Sequence, residues 1–249
     1  MKTFPEVMIF QHIPKTAGTT VRSFLRAVVP PTELLECVIH SRVTATGNIK
    51  TPSLVDPEID SFIDQLWKRR NFVSCIAANL PFGLHGFIDR PARYVALVRE
   101  PVNRCISYWY YAYDRRDVGP LWRALESRKF NLEVILDDPE TAPYFANDQT
   151  RYLSGSHKLN VNREIFEEAL HNVNTRYSFC GTFENDLTLL EKFFHSKGYP
   201  TATLPRLNVG NKSDASLLPP GASELFASAN KWDRLLWCKF LREPHTSQT

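Results

Sequence analysis

Residues 7–12 read Val-Met-Ile-Phe-Gln-His, an apolar run of β-formers, and 14–18 read Pro-Lys-Thr-Ala-Gly. From Thr19 to Val29 the apolar residues Val21, Phe24, Leu25 and Val28 recur at helical spacing, and Pro30-Pro31 ends that helix. A buried strand that turns through a tight loop into a helix constrains the chain more than any other feature. It points the unpaired N–H groups and partial positive charge of a helix N-terminus at the loop. Gly18 lets a backbone approach an anion closely. Thr19 and Thr20 can cap the helix and offer hydroxyl donors, and Lys15 adds a mobile positive charge. An anion-binding loop is therefore expected over Lys15, Thr16, Ala17, Gly18, Thr19 and Thr20.

The pattern downstream repeats the theme of strand followed by helix. Strands are expected at Cys37–His40, Phe72–Ala78, Arg93–Val98 and Tyr177–Thr182. Helices are expected over Asp56–Arg70, Pro101–Tyr113, Arg163–Asn172 and Glu184–Lys197, with short ones in 118–153 and one or two from Gly221 to Leu241. Residues 43–57, 80–86 and 200–221 read as loops. Alternation of this kind predicts an α/β fold of three layers, P-loop-like, with a central parallel sheet flanked by helices. The 249 residues are expected to form one domain. Ligands on such sheets bind beyond the carboxyl ends of the strands.

A second segment has the right position and chemistry. Residues 94–108 read Tyr-Val-Ala-Leu-Val-Arg-Glu-Pro-Val-Asn-Arg-Cys-Ile-Ser-Tyr. A buried strand ends in Arg99, Pro101 suits the first position of a helix, and Ser107 follows roughly two turns along. Arg99 can fork two N–H groups onto a phosphate, and Ser107 can add a hydroxyl. Arg99 could equally pair with a neighbouring carboxylate such as Glu100. The aromatic residues Trp109, Tyr110, Tyr111 and Tyr113 read as packing, with room for one to face the cleft.

Several function classes are disfavoured. The formal net charge of +3 is too small for general nucleic-acid binding. Five widely spaced cysteines without a CxxC pair argue against a disulfide framework or a zinc site, so buried thiols are expected. No apolar run is long enough to cross a bilayer. Residues 1–5 lead almost at once into a strand, which leaves no room for a signal peptide, and a cytoplasmic location is expected. The nucleotide-triphosphatase pattern GxxxxGK[ST] is absent, since Lys15 precedes Gly18 instead of following a glycine.

Together the two segments resemble the PAPS-dependent sulfotransferase superfamily, and most closely the branch of heparan sulfate 2-O-sulfotransferases and their bacterial relatives. Residues 10–20 are similar to that branch's 5′-phosphosulfate loop, and residues 98–108 to its 3′-phosphate motif. Asn147–Leu153, Gly181–Glu184 and Leu207–Asn211 are further similar pieces. The resemblance implies 3′-phosphoadenosine 5′-phosphosulfate (PAPS) as donor, adenosine 3′,5′-bisphosphate as product and no catalytic metal. By position it places Lys15 at the bridging oxygen and leaving phosphate, and Thr16 to Thr20 at the 5′-phosphate. Arg99 and Ser107 fall at the 3′-phosphate, with Asn211 and Lys212 closing over the nucleotide. The acceptor it implies is a hydroxyl, such as one on a glycan.

One position departs from the resemblance. Relatives carry a Gly-His pair before a Leu-Pro-Phe-like stretch, and that His is the usual candidate base. Here Asn79 precedes Leu80-Pro81-Phe82, and an amide takes no proton usefully near neutral pH. Asn79 could orient an acceptor. His85, in the same loop, is the first candidate for a relocated base, and His12, on the substrate side, the second. His40 is a further histidine at an expected strand end, and a phenolic acceptor would need less help. Two rival readings remain: a nucleotide-binding module without catalysis, and a P-loop phosphotransferase.

Overall fold

The computed structural model describes residues 6–38, 57–116, 120–204 and 217–247. It is an α/β fold of three layers around a sheet of six strands, ordered β2-β3-β1-β4-β5-β6. The strands are β1 (Val7–Gln11), β2 (Leu34–Cys37), β3 (Cys75–Ala78), β4 (Ala92–Val98), β5 (Tyr177–Thr182) and β6 (His245–Thr246). The first five run parallel, and β6 pairs antiparallel with β5.

Alternate residues of the strands feed two cores. Met8, Phe10, Cys75, Ala77, Val95 and Leu97 pack with Val21, Phe24, Leu25 and Val28 of helix α1 (Gly18–Val28) and with α9 (Leu187–Ser196). Ile9, Ile76, Ala78, Ala96 and Val98 face the opposite layer. That layer holds α2 (Pro57–Arg69), α7 (Asp148–Ser154), α8 (Arg163–Arg176) and α11 (Lys231–Arg242). Burial on both faces explains why β1 reads as an unbroken apolar run and not as an alternating one. A third cluster joins α3 (Pro101–Asp114) to α4 (Pro120–Ser127), α5 (Leu132–Asp137), α6 (Ala142–Phe145) and α10 (Ala222–Ala229) around Trp109, Phe145 and Phe226.

Two expectations are corrected. The second strand lies at Leu34–Cys37 and so begins three residues before the expected Cys37. It starts just after the turn at 31–33 that follows Pro30, and His40 lies outside the described residues. Helix α1 starts at Gly18, its N-cap is Ala17 in the left-handed region, and no side chain caps it. Thr19 and Thr20 therefore sit inside the helix and cannot be its caps. β6 had no counterpart among the expected strands.

Among the described residues no helix is long and apolar enough to cross a membrane. Cys37, Cys75, Cys105 and Cys180 are buried, Cys238 is half-buried, and no disulfide joins them.

Candidate functional site

The strand order defines where a ligand can sit. β1 leads through α1 to β2 on one side, whereas β4 leads through α3 towards β5 on the other. β1 and β4 are neighbours, with Gln11 beside Ala96. Their outgoing segments diverge, and such a switch point opens a crevice beyond the carboxyl ends of the strands. The residues that enter it are the loop after β1 and Arg99 after β4.

The floor below this crevice is tied together by one buried side chain. Gln11 Nε2 donates to the carbonyls of Leu80 (3.1 Å) and Tyr152 (3.0 Å), and its Oε1 accepts from Tyr177 Oη at 2.6 Å. A polar group so deep is tolerable because its hydrogen bonds are made.

The loop itself has an uncommon backbone. Lys15 has φ 71° and Ala17 has φ 69°, with Thr16 between them outside the positive-φ residues. Alternation of this kind turns successive N–H groups into one concavity that suits an anion. Thr16 closes the turn, with Oγ1 donating to Ile13 O at 2.8 Å and its N–H to the same oxygen at 3.3 Å. Its hydroxyl is thus spent within the loop. The first N–H of α1 with a partner inside the helix is that of Val21, on Ala17 O at 3.0 Å. The N–H groups of Gly18, Thr19 and Thr20 precede that bond and belong to the unpaired helix end.

Gly18 is required by close packing. A Cβ there would lie 1.7 Å from His12 Nε2, so the imidazole rests directly on the start of the helix. The same ring stacks on Phe10 at a centroid distance of 6.2 Å. Burial, then the charges of Arg22 and Lys15, push the His12 pKa down to about 3. Its Nδ1 is buried without a hydrogen-bond partner. This imidazole is neutral near neutral pH and too weak to act as a base there.

Lys15 Nζ lies 4.4 Å from the centre of the Tyr111 ring, and the Arg115 guanidinium carbon lies 5.3 Å from the same centre. Ser107 stands one helical turn before Tyr111 on α3, which places both on one face. Burial, then Arg99, lower the Lys15 pKa to about 8; Asp114 opposes the shift and Arg115 adds to it. Lys15 has no carboxylate within ion-pair distance among the described residues.

Arg99 joins the two segments. Its Nη1 donates to Lys15 O at 3.1 Å, and the guanidinium carbon lies 4.9 Å from the centre of the Phe183 ring. Burial lowers its pKa, and Nε is buried with no partner. The pairing with Glu100 does not form. The Glu100 carboxylate instead caps α3, accepting from the N–H groups of Val102 (3.1 Å) and Asn103 (2.7 Å). Glu184 accepts from the Glu100 N–H at 2.9 Å and from Trp237 Nε1 at 3.2 Å.

Asn79 follows β3 at the same end of the sheet. Ala78 pairs with Gln11, and the His12 N–H donates to Ala78 O at 2.8 Å. Asn79 is thus the neighbour of the loop, half-buried, with its carbonyl accepting from Tyr152 Oη at 3.2 Å.

His85 packs against Phe82 and Tyr94. It lies in a short 3-10 turn, Leu84–Phe87, with Nδ1 3.0 Å from Tyr94 Oη. That oxygen already accepts from the N–H groups of Gly83 (3.3 Å) and His85 (3.0 Å), so its own proton is left for Nδ1. Held this way the imidazole carries its hydrogen on Nε2 and presents no open lone pair. Tyr94 is paired with Ile9, well before the strand end at Val98.

The sequence did not single out a role for Gln149, Phe183 or Arg115, or for the Tyr111 ring as the seat of Lys15. Asn211 and Lys212 lie outside the described residues. Among the described residues no group of His, Cys, Asp or Glu gathers as metal ligands would.

No protein-family model matches the chain, and a search of curated proteins finds no match.

Proposed function

We propose that the chain is a PAPS-dependent sulfotransferase that transfers a sulfuryl group to a hydroxyl acceptor. The observation that supports this most is the meeting of two cations, Lys15 and Arg99, at one loop and one helix N-terminus, neither of them in an ion pair among the described residues. Such a cluster is suited to a ligand with separated phosphate groups. The resemblance of residues 10–20 and 98–108 to the two phosphate motifs of that superfamily adds the identity of the donor.

The reaction is an in-line displacement at sulfur. A bond forms between the acceptor oxygen and sulfur, and the bond from sulfur to the 5′-phosphate oxygen breaks. The acceptor proton leaves to solvent or a base, and the electron pair stays on the departing adenosine 3′,5′-bisphosphate. Lys15 and the N–H groups at 18–20 face the oxygen on which that charge builds, which lowers the barrier electrostatically. Arg99 and Ser107 hold the 3′-phosphate. Asn79 orients the acceptor.

A phosphotransferase of the P-loop kind is less well supported. The strands that flank β1, Cys75–Ala78 and Ala92–Val98, carry no acidic residue to hold a magnesium ion. A nucleotide-binding module without turnover keeps a specific observation in its favour. Asn79 stands beside the loop, His12 is a neutral and weak base, and His85 is engaged by Tyr94.

Incubation with PAPS and a panel of phenolic and glycan hydroxyls separates the two readings. Release of adenosine 3′,5′-bisphosphate that depends on the acceptor supports the enzyme. Binding of the nucleotide without release across the panel supports the module.

A further inference from the structure

Lys15 sits in the left-handed region, which a residue with a Cβ keeps only when its surroundings impose it. One contact that can impose it is the hydrogen bond from Arg99 Nη1 to its carbonyl. Arg99 is in turn fixed through its backbone. The carboxamide of Gln149 accepts from the Arg99 N–H at 2.7 Å and donates to the Arg99 carbonyl at 2.9 Å, so both polar groups of that residue are held. Gln149 is fully buried.

Gln149 is anchored by reciprocal capping between two helices. The Asp233 carboxylate accepts from the N–H groups of Gln149 (3.0 Å) and Thr150 (2.7 Å) at the start of α7. Asn147 Oδ1 accepts from the N–H groups of Trp232 (2.9 Å) and Asp233 (3.3 Å) at the start of α11. Each helix satisfies the other's unpaired donors, which leaves Gln149 little freedom.

We propose that Gln149 is a positioning residue for the anion loop. By fixing the Arg99 backbone it keeps Nη1 on the Lys15 carbonyl and holds the loop in the shape that takes a nucleotide 5′-phosphate. Arg99 then serves two subsites, the 3′-phosphate directly and the 5′-phosphate through Lys15. This rests on the reading of the site as one for adenosine 3′,5′-bisphosphate.

The test is calorimetric titration of AMP and of adenosine 3′,5′-bisphosphate into the wild-type chain, Gln149→Leu and Gln149→Met. Both substitutions are uncharged, so a loss of affinity does not come from a lost or added charge. AMP lacks the group assigned to Arg99, yet its affinity is expected to fall about tenfold in either variant. Thermal melts report whether each variant is folded. If Gln149→Leu does not fold, Gln149→Met, closer in shape, gives the answer; if neither folds, Arg99→Lys, which keeps the charge but not the fork, takes their place. Unchanged AMP affinity in a folded variant overturns the proposal, even where its melting temperature falls. A wild-type chain that binds both nucleotides equally overturns the reading of the site instead, and one that binds neither overturns both.

Discussion

Arg99 Nη1 donates a 3.1 Å hydrogen bond to the main-chain carbonyl of Lys15, 84 positions earlier in the chain. The end of β4 and the loop after β1 are therefore one unit. Its two cations are close enough that Arg99 helps burial to lower the Lys15 pKa to about 8.

Lys15 is expected to matter more for rate than for binding. Its charge is used most fully as the leaving phosphate becomes more negative. In Lys15→Ala, kcat should fall by about 10²–10³-fold, the size seen when one stabilising donor is removed, with a smaller loss in nucleotide affinity. Near wild-type kcat in that variant, measured under saturating donor, would remove Lys15 from the transition state.

The same shift gives a pH dependence. A Lys pKa lowered to about 8 means that the ammonium is formed below pH 8 and lost as pH rises through it. An arriving phosphate favours the charged form and raises that pKa. Binding of adenosine 3′,5′-bisphosphate should therefore take up protons at about pH 8–9 and weaken above it. Titration in buffers of different ionisation enthalpy measures the uptake; none in the wild type, or equal uptake in Lys15→Ala, would contradict the assignment.

Gly18→Ala should damage the loop through His12. The new methyl would fall 1.7 Å from Nε2, so the imidazole must leave its seat between Phe10 and the helix. The expected cost is about 1–3 kcal/mol of stability with loss of nucleotide binding. His12→Ala in the same chain removes the clash, and the double variant should regain part of both. A single variant with wild-type melting and binding would show that the ring moves at no cost.

Much of the site could be read from local pattern. Strand, loop and helix at 7–28, and strand end and helix at 92–114, are contiguous segments whose chemistry shows in a short window. What could not be read depends on distant contacts. Gln149 reaches Arg99 across 50 positions, and Tyr111 receives Lys15 from another element. The displacement of β2 has a different cause. Leu34 and Leu35 begin an edge strand of only four residues, Leu34–Cys37, too short to show a period, while the apolar Val38 and Ile39 drew the expectation onward. The seat of His85 on Tyr94 likewise depends on a tertiary contact, which the turn after Gly83 sets up.

The base can be examined by two substitutions. Asn79 adjoins the loop, so Asn79→His should raise turnover with alkyl hydroxyls, up to about 10²-fold if it supplies a general base. His85→Ala should leave the pH profile of turnover unchanged, because its contacts are to Tyr94 and Phe82. Loss of activity in a folded His85→Ala chain, together with no gain in Asn79→His, would instead make His85 the base.

The central claim is that the cleft takes a nucleotide with both a 5′- and a 3′-phosphate, and one titration tests it most directly. Adenosine 3′,5′-bisphosphate should bind the wild-type chain at least about tenfold tighter than AMP, the worth of one charge-assisted contact. Arg99→Ala should remove most of that difference. Equal affinity of the wild-type chain for the two nucleotides would contradict the account.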